Sequence, residues 1–414
     1  MKSSKSQNNE VILLFGHLTS KMGDLIFDYA NKIVLVSAFT AMPWVLALYQ
    51  SMESIVGIIF NIIGGLIADF GNKKKIIIIS DLLSATVCFI TSFFISSNYM
   101  AAALIIANGF LALIFSFQSP CFRAVISQMI EKDRIVKYNS INNAGMEIIN
   151  ITGPIIGLAL MGYVGARGAL LINAGSFFIS AVSEVFLQPL KPEVAKSKKP
   201  SLKELPSGII YVYKNKTILI QVISCAFVNF FIAAYNLLAP YTEIIYKETY
   251  NGYYSKLLVA DAIGGILGSI VNTKIADKYI KNGASLLKLS ISEGISLMLI
   301  PIAALSGNLF IGLIPYLLFS MTLAMYNINF MSYVQTNVDE AFQGRVFSVI
   351  FAFIMIFMPI GSFFFSAIKI TEDIRNFYIP GVGIIIVAIA CLIVNELPPP
   401  TLRRKRFLLC RRTA

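Results

Sequence analysis

Five polar side chains near the start of the chain recur at helical spacing. They are His17, Lys21, Asp24, Asp28 and Lys32, which follow one another by steps of four, three, four and four. At about 100° per residue they share roughly 80° of one helical face. Lys21 can reach Asp24 on such a face, and Asp28 can reach Lys32 in the same way. This α1 stripe could either bind protons and cations or form a structural ion-pair network.

The composition indicates that the stripe lies in a membrane protein. Of the 414 residues, 57% are hydrophobic and only 14% are charged, and the mean hydropathy is +0.74. Soluble domains have about 25% charged residues. A charge near the centre of a bilayer costs about 2.5–3.5 kcal/mol on insertion scales. The stripe is therefore expected to face protein or water in a polar cavity.

Apolar runs of transmembrane length predict an all-α membrane protein with twelve transmembrane helices. The first six are expected at 11–40, 44–69, 75–96, 100–128, 140–163 and 167–188. The second six are expected at 216–242, 252–276, 284–305, 309–335, 345–369 and 376–396. Most of the 34 Lys and Arg residues then fall on one side, which by the positive-inside rule places both termini in the cytoplasm. We expect a multi-pass protein of the cell membrane, in a bacterium the inner membrane.

The chain is expected to divide into four parts. The parts are a six-helix bundle at 1–188, a cytoplasmic linker at 189–215, a second six-helix bundle at 216–397 and a basic cytoplasmic tail at 398–414. The linker carries a capping-box pattern at 201–204 and predicts a short amphipathic helix.

Two pairs of motifs recur in the same order in the two bundles. Gly64-Gly65, which precedes an Ile-Ala-Asp at 67–69, is matched by Gly264-Gly265, which precedes an Ile-Ala-Asp at 275–277. Gly153-Pro154-Ile155-Ile156-Gly157 is matched by Met358-Pro359-Ile360-Gly361. The repeats predict two six-helix pseudo-repeats, a transporter plan in which the binding site lies between the halves.

Further ionisable residues lie within the predicted spans. Glu147 and Glu293 are well inside theirs, where a lone carboxyl group could bind and release a proton. Asp261 follows an outer loop by about two turns, which allows either a functional or a structural role. Structural roles are expected for three acids nearer to helix ends or polar neighbours. These three are Glu53, Asp81 and Glu184.

No enzyme site or cofactor site is expected. The chain has one His and neither a GxxxxGK[ST] nor a GxGxxG pattern, so catalytic, metal and nucleotide chemistry are not indicated. The net charge of +12 is explained by the loops and does not point to nucleic acid. Active transport would then depend on an ion gradient. The expected partners are a small-molecule substrate, protons or another coupling ion, and membrane lipid, with the chain acting as a monomer.

The loop from Gly65 to Lys75 resembles the signature loop of the major facilitator superfamily. Gly65, Asp69, Lys73 and Lys74 match its pattern, whereas two intervening positions, Phe70 and Asn72, depart from it. The resemblance implies the major facilitator fold. It also implies that Asp69 holds the cytoplasmic ends of the two halves together in one state, in a gate region that includes Arg123 and Arg345.

Other segments resemble the macrolide-efflux branch of the drug:proton antiporters. They are Ser119–Val125 at the end of the fourth span, parts of the linker and Gln343–Ser348 before the eleventh span. Gly153, Pro154 and Gly157 resemble the core of the antiporter motif in the fifth helix, although a plain packing kink explains them equally well. The arginine that the family carries within the fourth span is absent, since Leu111 lies near its place.

The resemblance and the intramembrane charges together predict proton-coupled efflux of amphipathic drugs or antibiotics by alternating access. The residues expected to titrate or to hold the ligand are Lys21, Asp24, Asp28, Glu147, Glu293 and Asp261. One alternative is export or flipping of a natural metabolite, such as a siderophore or a lysolipid. Another is a non-transporting membrane sensor with the same fold.

Overall fold

Helices account for almost all of the described chain. The computed structural model describes residues 2–70, 72–190, 205–280, 283–338, 343–368 and 370–396. The first half contains α1 (Lys2–Ala38), α2 (Pro43–Phe70), α3 (Lys73–Ser92), α4 (Met100–Met129) and α5 (Lys132–Val185). The linker contributes α6 (Leu205–Lys214). The second half contains α7 (Lys216–Ile245), α8 (Tyr253–Ile280), α9 (Gly283–Ala304), α10 (Leu309–Asn337), α11 (Gln343–Ala367) and α12 (Tyr378–Glu396).

Helix α5 supplies two crossings because its backbone turns at Gly165. This residue has φ 64° and ψ −175°, a conformation open to glycine and strained for other residues. The turn lies between the spans predicted at 140–163 and 167–188. Within the described ranges, ten stretches are long and apolar enough to cross a membrane, with α5 counted once and the charge-bearing α1 excluded. An all-α membrane protein of about twelve crossings is confirmed.

Helix α1 begins nine residues earlier than predicted, at Lys2 instead of residue 11. Its polar first turns are held by the ends of α4 and α5. The Asn9 side-chain amide donates to the carbonyl oxygens of Met129 (2.9 Å) and Gln188 (2.7 Å). Glu10 forms an ion pair with Arg134. These bonds satisfy polar groups that the apolar pattern alone would leave outside the bundle.

The two halves share an apolar core at only one end of the bundle. We call the end where α1 begins and α6 lies the linker end, and the opposite end the far end. At the far end one cluster joins both halves and includes Phe27, Tyr49, Tyr235 and Tyr316. Toward the linker end the described residues form separate clusters, one around Tyr138 in the first half and one around residues 325–334 in the second.

Direct contacts between the halves also lie near the far end. The Ser255 hydroxyl donates to the carbonyl oxygen of Pro154 at 2.9 Å. The Gln50 amide donates to the carbonyl oxygen of Asn236 at 3.0 Å. The rings of Tyr29 and Tyr254 stack with their centroids 5.6 Å apart. The halves are therefore joined at the far end.

Candidate functional site

A cavity of about 820 Å³ extends from the middle of the first half toward the linker end. This volume falls within the range of ligand sites in proteins. Side chains from α1, α2, α3, α4 and both arms of α5 line it, and Met355 of α11 is the one lining residue from the described second half. His17 and Arg123 mark its linker-end mouth.

Four members of the α1 stripe, all except Lys32, form one wall of this cavity, and the predicted ion pairs of the stripe are confirmed. Lys21 Nζ lies 3.2 Å from Asp24 Oδ2, and Lys32 Nζ lies 2.7 Å from Asp28 Oδ2. The four side chains are 21–41% exposed, so both pairs remain partly accessible. The His17 ring stacks on a phenylalanine, Phe122, at a centroid distance of 4.5 Å.

Additional polar groups surround the two acids of the stripe. The Tyr49 hydroxyl of α2 donates to Asp28 Oδ1 at 3.5 Å and accepts from the Asn31 amide at 3.2 Å. Asn173, on the second arm of α5, lies close to Asp24. At the far end of the stripe, Lys32 lies close to Tyr254 of the second half. The stripe therefore runs from the cavity mouth to the contact between the halves.

Small residues let α1 lie tightly between the two arms of α5. A Cβ on Gly23 would come within 2.1 Å of the Ser176 hydroxyl in the second arm. In the first arm, Gly153 packs against Leu25 of α1 and Gly157 packs against Tyr29. A Cβ added to either glycine would lie 3.0 Å from that side chain. The glycines of the helix-5 motif thus pack against the helix that carries the charged stripe.

Other lining residues come from α2, α4 and α5, and the sequence carried a signal for some of them. On α4 they recur every three or four residues, and on the first arm of α5 a similar row is rich in asparagine. The rows comprise Asn108, Ala112, Phe115, Ser119, Phe122, Asn139, Asn142, Met146 and Asn150. Helical spacing of polar residues within an apolar span is the pattern that marked α1, and it would have found the asparagine row of α5, whereas the α4 row mixes polar and apolar residues and gives no such signal.

Glu53 of α2 also lines the cavity, although a structural role was expected for it. Its side chain is exposed and forms no ion pair among the described residues. It lies within electrostatic range of Asp28, Lys21 and Lys32. Glu53 therefore adds an acid without a lysine partner to the wall formed by the stripe.

Three predicted site acids lie away from the cavity lining. Glu147 is exposed on the first arm of α5. Glu293 is fully buried on α9, and neither carboxyl oxygen has a hydrogen-bond partner in the described structure. Asp261 on α8 accepts hydrogen bonds from the hydroxyls of Tyr235 and Ser320. The cavity thus brings together Lys21, Asp24 and Asp28, but not these three.

Lys74, one of the described gate residues, contacts the end of the first half. The Lys74 ammonium donates to the carbonyl oxygens of Val185 (2.7 Å) and Leu187 (2.8 Å), which suits a basic group at the end of α5. Arg123 is exposed at the cavity mouth, and Lys73 is buried. The side chains of the other three gate residues, Gly65, Asp69 and Arg345, and the segments 191–204 and 397–414 lie outside the described part of the chain.

Residues 13–362 match the profile of the Major Facilitator Superfamily. The chain belongs to this superfamily. It is 24% identical over 284 residues to the uncharacterized MFS-type transporter YkuC of Bacillus subtilis, covering 65% of each chain. It is 21% identical over 361 residues to macrolide efflux protein A of Streptococcus pyogenes, covering 85% of this chain and 88% of that protein. The crystal structure of the nucleoside transporter NupG superposes with a TM-score of 0.76 at 13% identity, over 94% of this chain and 100% of that one.

Membership of the major facilitator superfamily makes this protein a multi-pass secondary transporter of small molecules, not an enzyme. The superfamily fold also indicates what the cavity is for. In such transporters two helical bundles enclose a site that is exposed to one side of the membrane at a time. Among the described residues, the halves share a core at the far end, and the cavity extends toward the linker end.

Proposed function

We propose that this transporter exports amphipathic drugs or antibiotics in exchange for protons, by alternating access. The α1 stripe carries this proposal, because it places two acids, each paired with a lysine, along the wall of the cavity. The similarity to macrolide efflux protein A supports the direction and the class of substrate. The linker end would face the cytoplasm, in agreement with the distribution of Lys and Arg along the chain.

The ion pairs offer a mechanism for coupling. A proton that binds Asp24 or Asp28 removes the negative charge that holds the neighbouring lysine. The freed ammonium then leaves a net positive charge in the cavity, which changes the free energy of closing the linker end around it. A ligand shifts a conformational equilibrium only through such a difference in interaction between the two states.

The remainder of the cavity suits a bulky, partly apolar molecule with a positive charge. Phe115, Phe122 and Phe177 supply aromatic surface, and ring faces attract cations. Lys21 already lies over the Phe115 ring, at 4.4 Å from its centroid. Glu53 supplies a carboxylate with no lysine partner among the described residues. We therefore expect an amphipathic amine to be a better substrate than an amphipathic anion.

The test measures proton movement driven by substrate. Everted vesicles from expressing cells carry an imposed pH gradient, and candidate drugs are added after a susceptibility panel has identified hits. We expect a hit to dissipate the gradient, and Asp24→Asn and Asp28→Asn to reduce that response at least about tenfold. The control is Glu248→Gln, which removes an exposed carboxylate after α7.

Three results would contradict this proposal in different ways. Unchanged transport by both the Asp24→Asn and the Asp28→Asn variants would remove the stripe from coupling. Transport of a siderophore or lysolipid, with no drug moved, would keep the secondary transporter and replace its substrate. Ligand binding without any flux in proteoliposomes would favour a sensor.

A further inference from the structure

The first turn of α8 meets the first half at the far end of the molecule. The Ser255 hydroxyl donates to the carbonyl oxygen of Pro154 on α5 at 2.9 Å. The Tyr254 ring stacks on Tyr29 of α1 with the centroids 5.6 Å apart. Tyr254 and Ser255 are buried, at 3% and 2% exposure. Two consecutive residues of this turn are therefore enclosed in the contact between the halves.

The backbone that leads into this turn also fits against the first half. Gly252 has a φ of 69°, which favours glycine, and a Cβ added there would come within 2.3 Å of the Leu158 side chain on α5. Its carbonyl oxygen accepts a hydrogen bond from the Lys256 N–H at 3.2 Å, so the hydrogen bonding of α8 begins at this residue. The placement of the start of α8 thus determines whether Gly252, Tyr254 and Ser255 can meet the first half.

A side chain from α7 binds this turn through both of its carboxyl oxygens. Glu243 Oε1 accepts from the Gly252 N–H at 3.0 Å, and Glu243 Oε2 accepts from the Tyr254 N–H at 2.9 Å. The first N–H groups of a helix have no partner within the helix, and the helix dipole favours a carboxylate beside them. Glu243 lies two residues before the end of α7 at Ile245. It therefore ties the start of α8 to the end of α7.

The turn between the two helices has one further aromatic support. The Tyr246 ring stacks on the Tyr253 ring with the centroids 4.2 Å apart. This contact lies within the second half and does not engage the backbone N–H groups of Gly252 and Tyr254. In the described structure, those two N–H groups are bound by Glu243.

We propose that Glu243 is a positioning residue of a far-end gate, which consists of residues 252–255 at the start of α8. It acts through Tyr254 and Ser255, because its two hydrogen bonds hold the turn where these residues contact α1 and α5. Without the carboxyl group the turn can move away, which favours separation of the halves at the far end. The effect of Glu243 on export rests on the proposed function, but its hold on the far-end contact does not.

Distances between spin labels across the far end test this role. Tyr163→Cys on α5 and Leu305→Cys between α9 and α10 replace exposed residues outside the turn that follows α7. They are labelled in a variant without the five native cysteines and measured by double electron–electron resonance in nanodiscs. We expect Glu243→Ala to raise the population of long distances at least about threefold, since loss of a helix cap shifts an equilibrium by that factor or more. An unchanged distribution would mean that the turn loosens only locally, and it would overturn the proposal.

Two matched variants separate the cap from a general effect on folding. Glu243→Gln keeps the shape of the side chain and one acceptor oxygen, so it should raise the long-distance population less than Glu243→Ala. Glu248→Gln removes an exposed carboxylate from the same turn and should leave the distances unchanged. An equal increase in Glu248→Gln and Glu243→Ala would contradict a specific role of Glu243.

A double variant tests whether Glu243 acts through the contact between the halves. Ser255→Ala removes the bond to Pro154 and leaves the backbone bonds to Glu243 in place. In that background Glu243→Ala should raise the long-distance population by a smaller factor than it does alone, because part of the contact is already lost. The same factor in both backgrounds would contradict the proposal. A shift in these distances in a protein that exports no drug would contradict the proposed function alone.

Discussion

The two ion pairs of the α1 stripe are weak enough to exchange partners. Their members are 21–41% exposed, and pairs with such access to water contribute about 1 kcal/mol or less. A proton or a cationic substrate can therefore compete with either lysine without disrupting the fold. The same charges, left unpaired in an apolar setting, would be much more costly. The pairing lowers the energetic cost of these charges within the membrane, and the partial exposure leaves them accessible to protons and substrate.

Removing one member of a pair should destabilise the protein more than removing both members. Lys32→Ala leaves Asp28 with the Tyr49 hydroxyl as its described partner, so we expect a lower unfolding temperature in detergent and less protein in the membrane. Lys32→Ala combined with Asp28→Asn should recover most of that stability, because no bare carboxylate remains. Size-exclusion chromatography after heating measures this. Additive losses in the double variant would show that the pair has no coupling energy.

Glu53 should favour the transport of cationic substrates over uncharged ones. Glu53→Gln keeps the shape of the side chain and removes its charge from the cavity wall. We expect resistance to cationic amphipathic drugs to fall at least about fivefold, corresponding to about 1 kcal/mol. Resistance to uncharged substrates should change little. The susceptibility of cells that express Glu53→Gln, compared with Glu248→Gln, measures both. Equal loss for both drug classes would assign Glu53 a structural role.

The ion pairs could be predicted at the residue scale, whereas the cavity could not. Lys21 and Asp24 are neighbours on any helix that contains them, so their spacing alone predicts the contact. Whether Glu53 or Glu184 faces the cavity depends on how neighbouring helices are rotated against each other. That rotation is set by packing between helices distant in sequence, and a single apolar run does not encode it.

At the scale of helices, close contacts depend on glycine. A Cβ on Gly264 of α8 would lie 2.2 Å from the backbone oxygen of Leu317 on α10, and one on Gly268 would lie 2.3 Å from that of Met321. Backbone atoms cannot move aside as a side chain can. The two glycines, four residues apart, therefore let α8 and α10 approach as small residues do in membrane bundles.

Alanine at these glycines should separate the two helices. Gly264→Ala and Gly268→Ala are each expected to destabilise the protein by about 1–3 kcal/mol through overpacking. Gly265→Ala is the matched control, since no atom lies within 4 Å of an added Cβ there. Its higher helix propensity should leave stability unchanged or slightly raised. Thermal unfolding in detergent compares the three. Equal effects at 264 and 265 would contradict the close contact.

Helix ends were predictable where backbone chemistry dictates them. The break near residue 165 lies in a glycine-rich stretch, Gly162–Gly168, between two apolar runs, and Gly165 provides the φ of 64° that the turn needs. The early start of α1 was not predictable from hydropathy. Its first turns are polar, and they become helical because Asn9 and Glu10 bind groups on α4 and α5.

At the scale of the whole molecule, the fold could be predicted but its conformational state could not. Repeated apolar runs and paired glycine motifs suffice for two six-helix halves. Both states of an alternating-access transporter use the same helices, so sequence patterns do not distinguish them. Among the described residues, Phe27 and Tyr235 belong to a cluster that spans the halves, whereas Tyr138 belongs to one confined to the first half.

If the far-end contact must open during transport, fixing it should stop the cycle. Gln50 and Asn236 meet there across the halves, with a hydrogen bond of 3.0 Å. In a variant without the five native cysteines, Gln50→Cys and Asn236→Cys can be joined by a short thiol-reactive linker. We expect substrate efflux to fall at least about tenfold after cross-linking and to recover after reduction. The single-cysteine variants, treated in the same way, should keep their activity. Full efflux by the cross-linked protein would mean that the far end stays closed throughout transport, which alternating access does not allow.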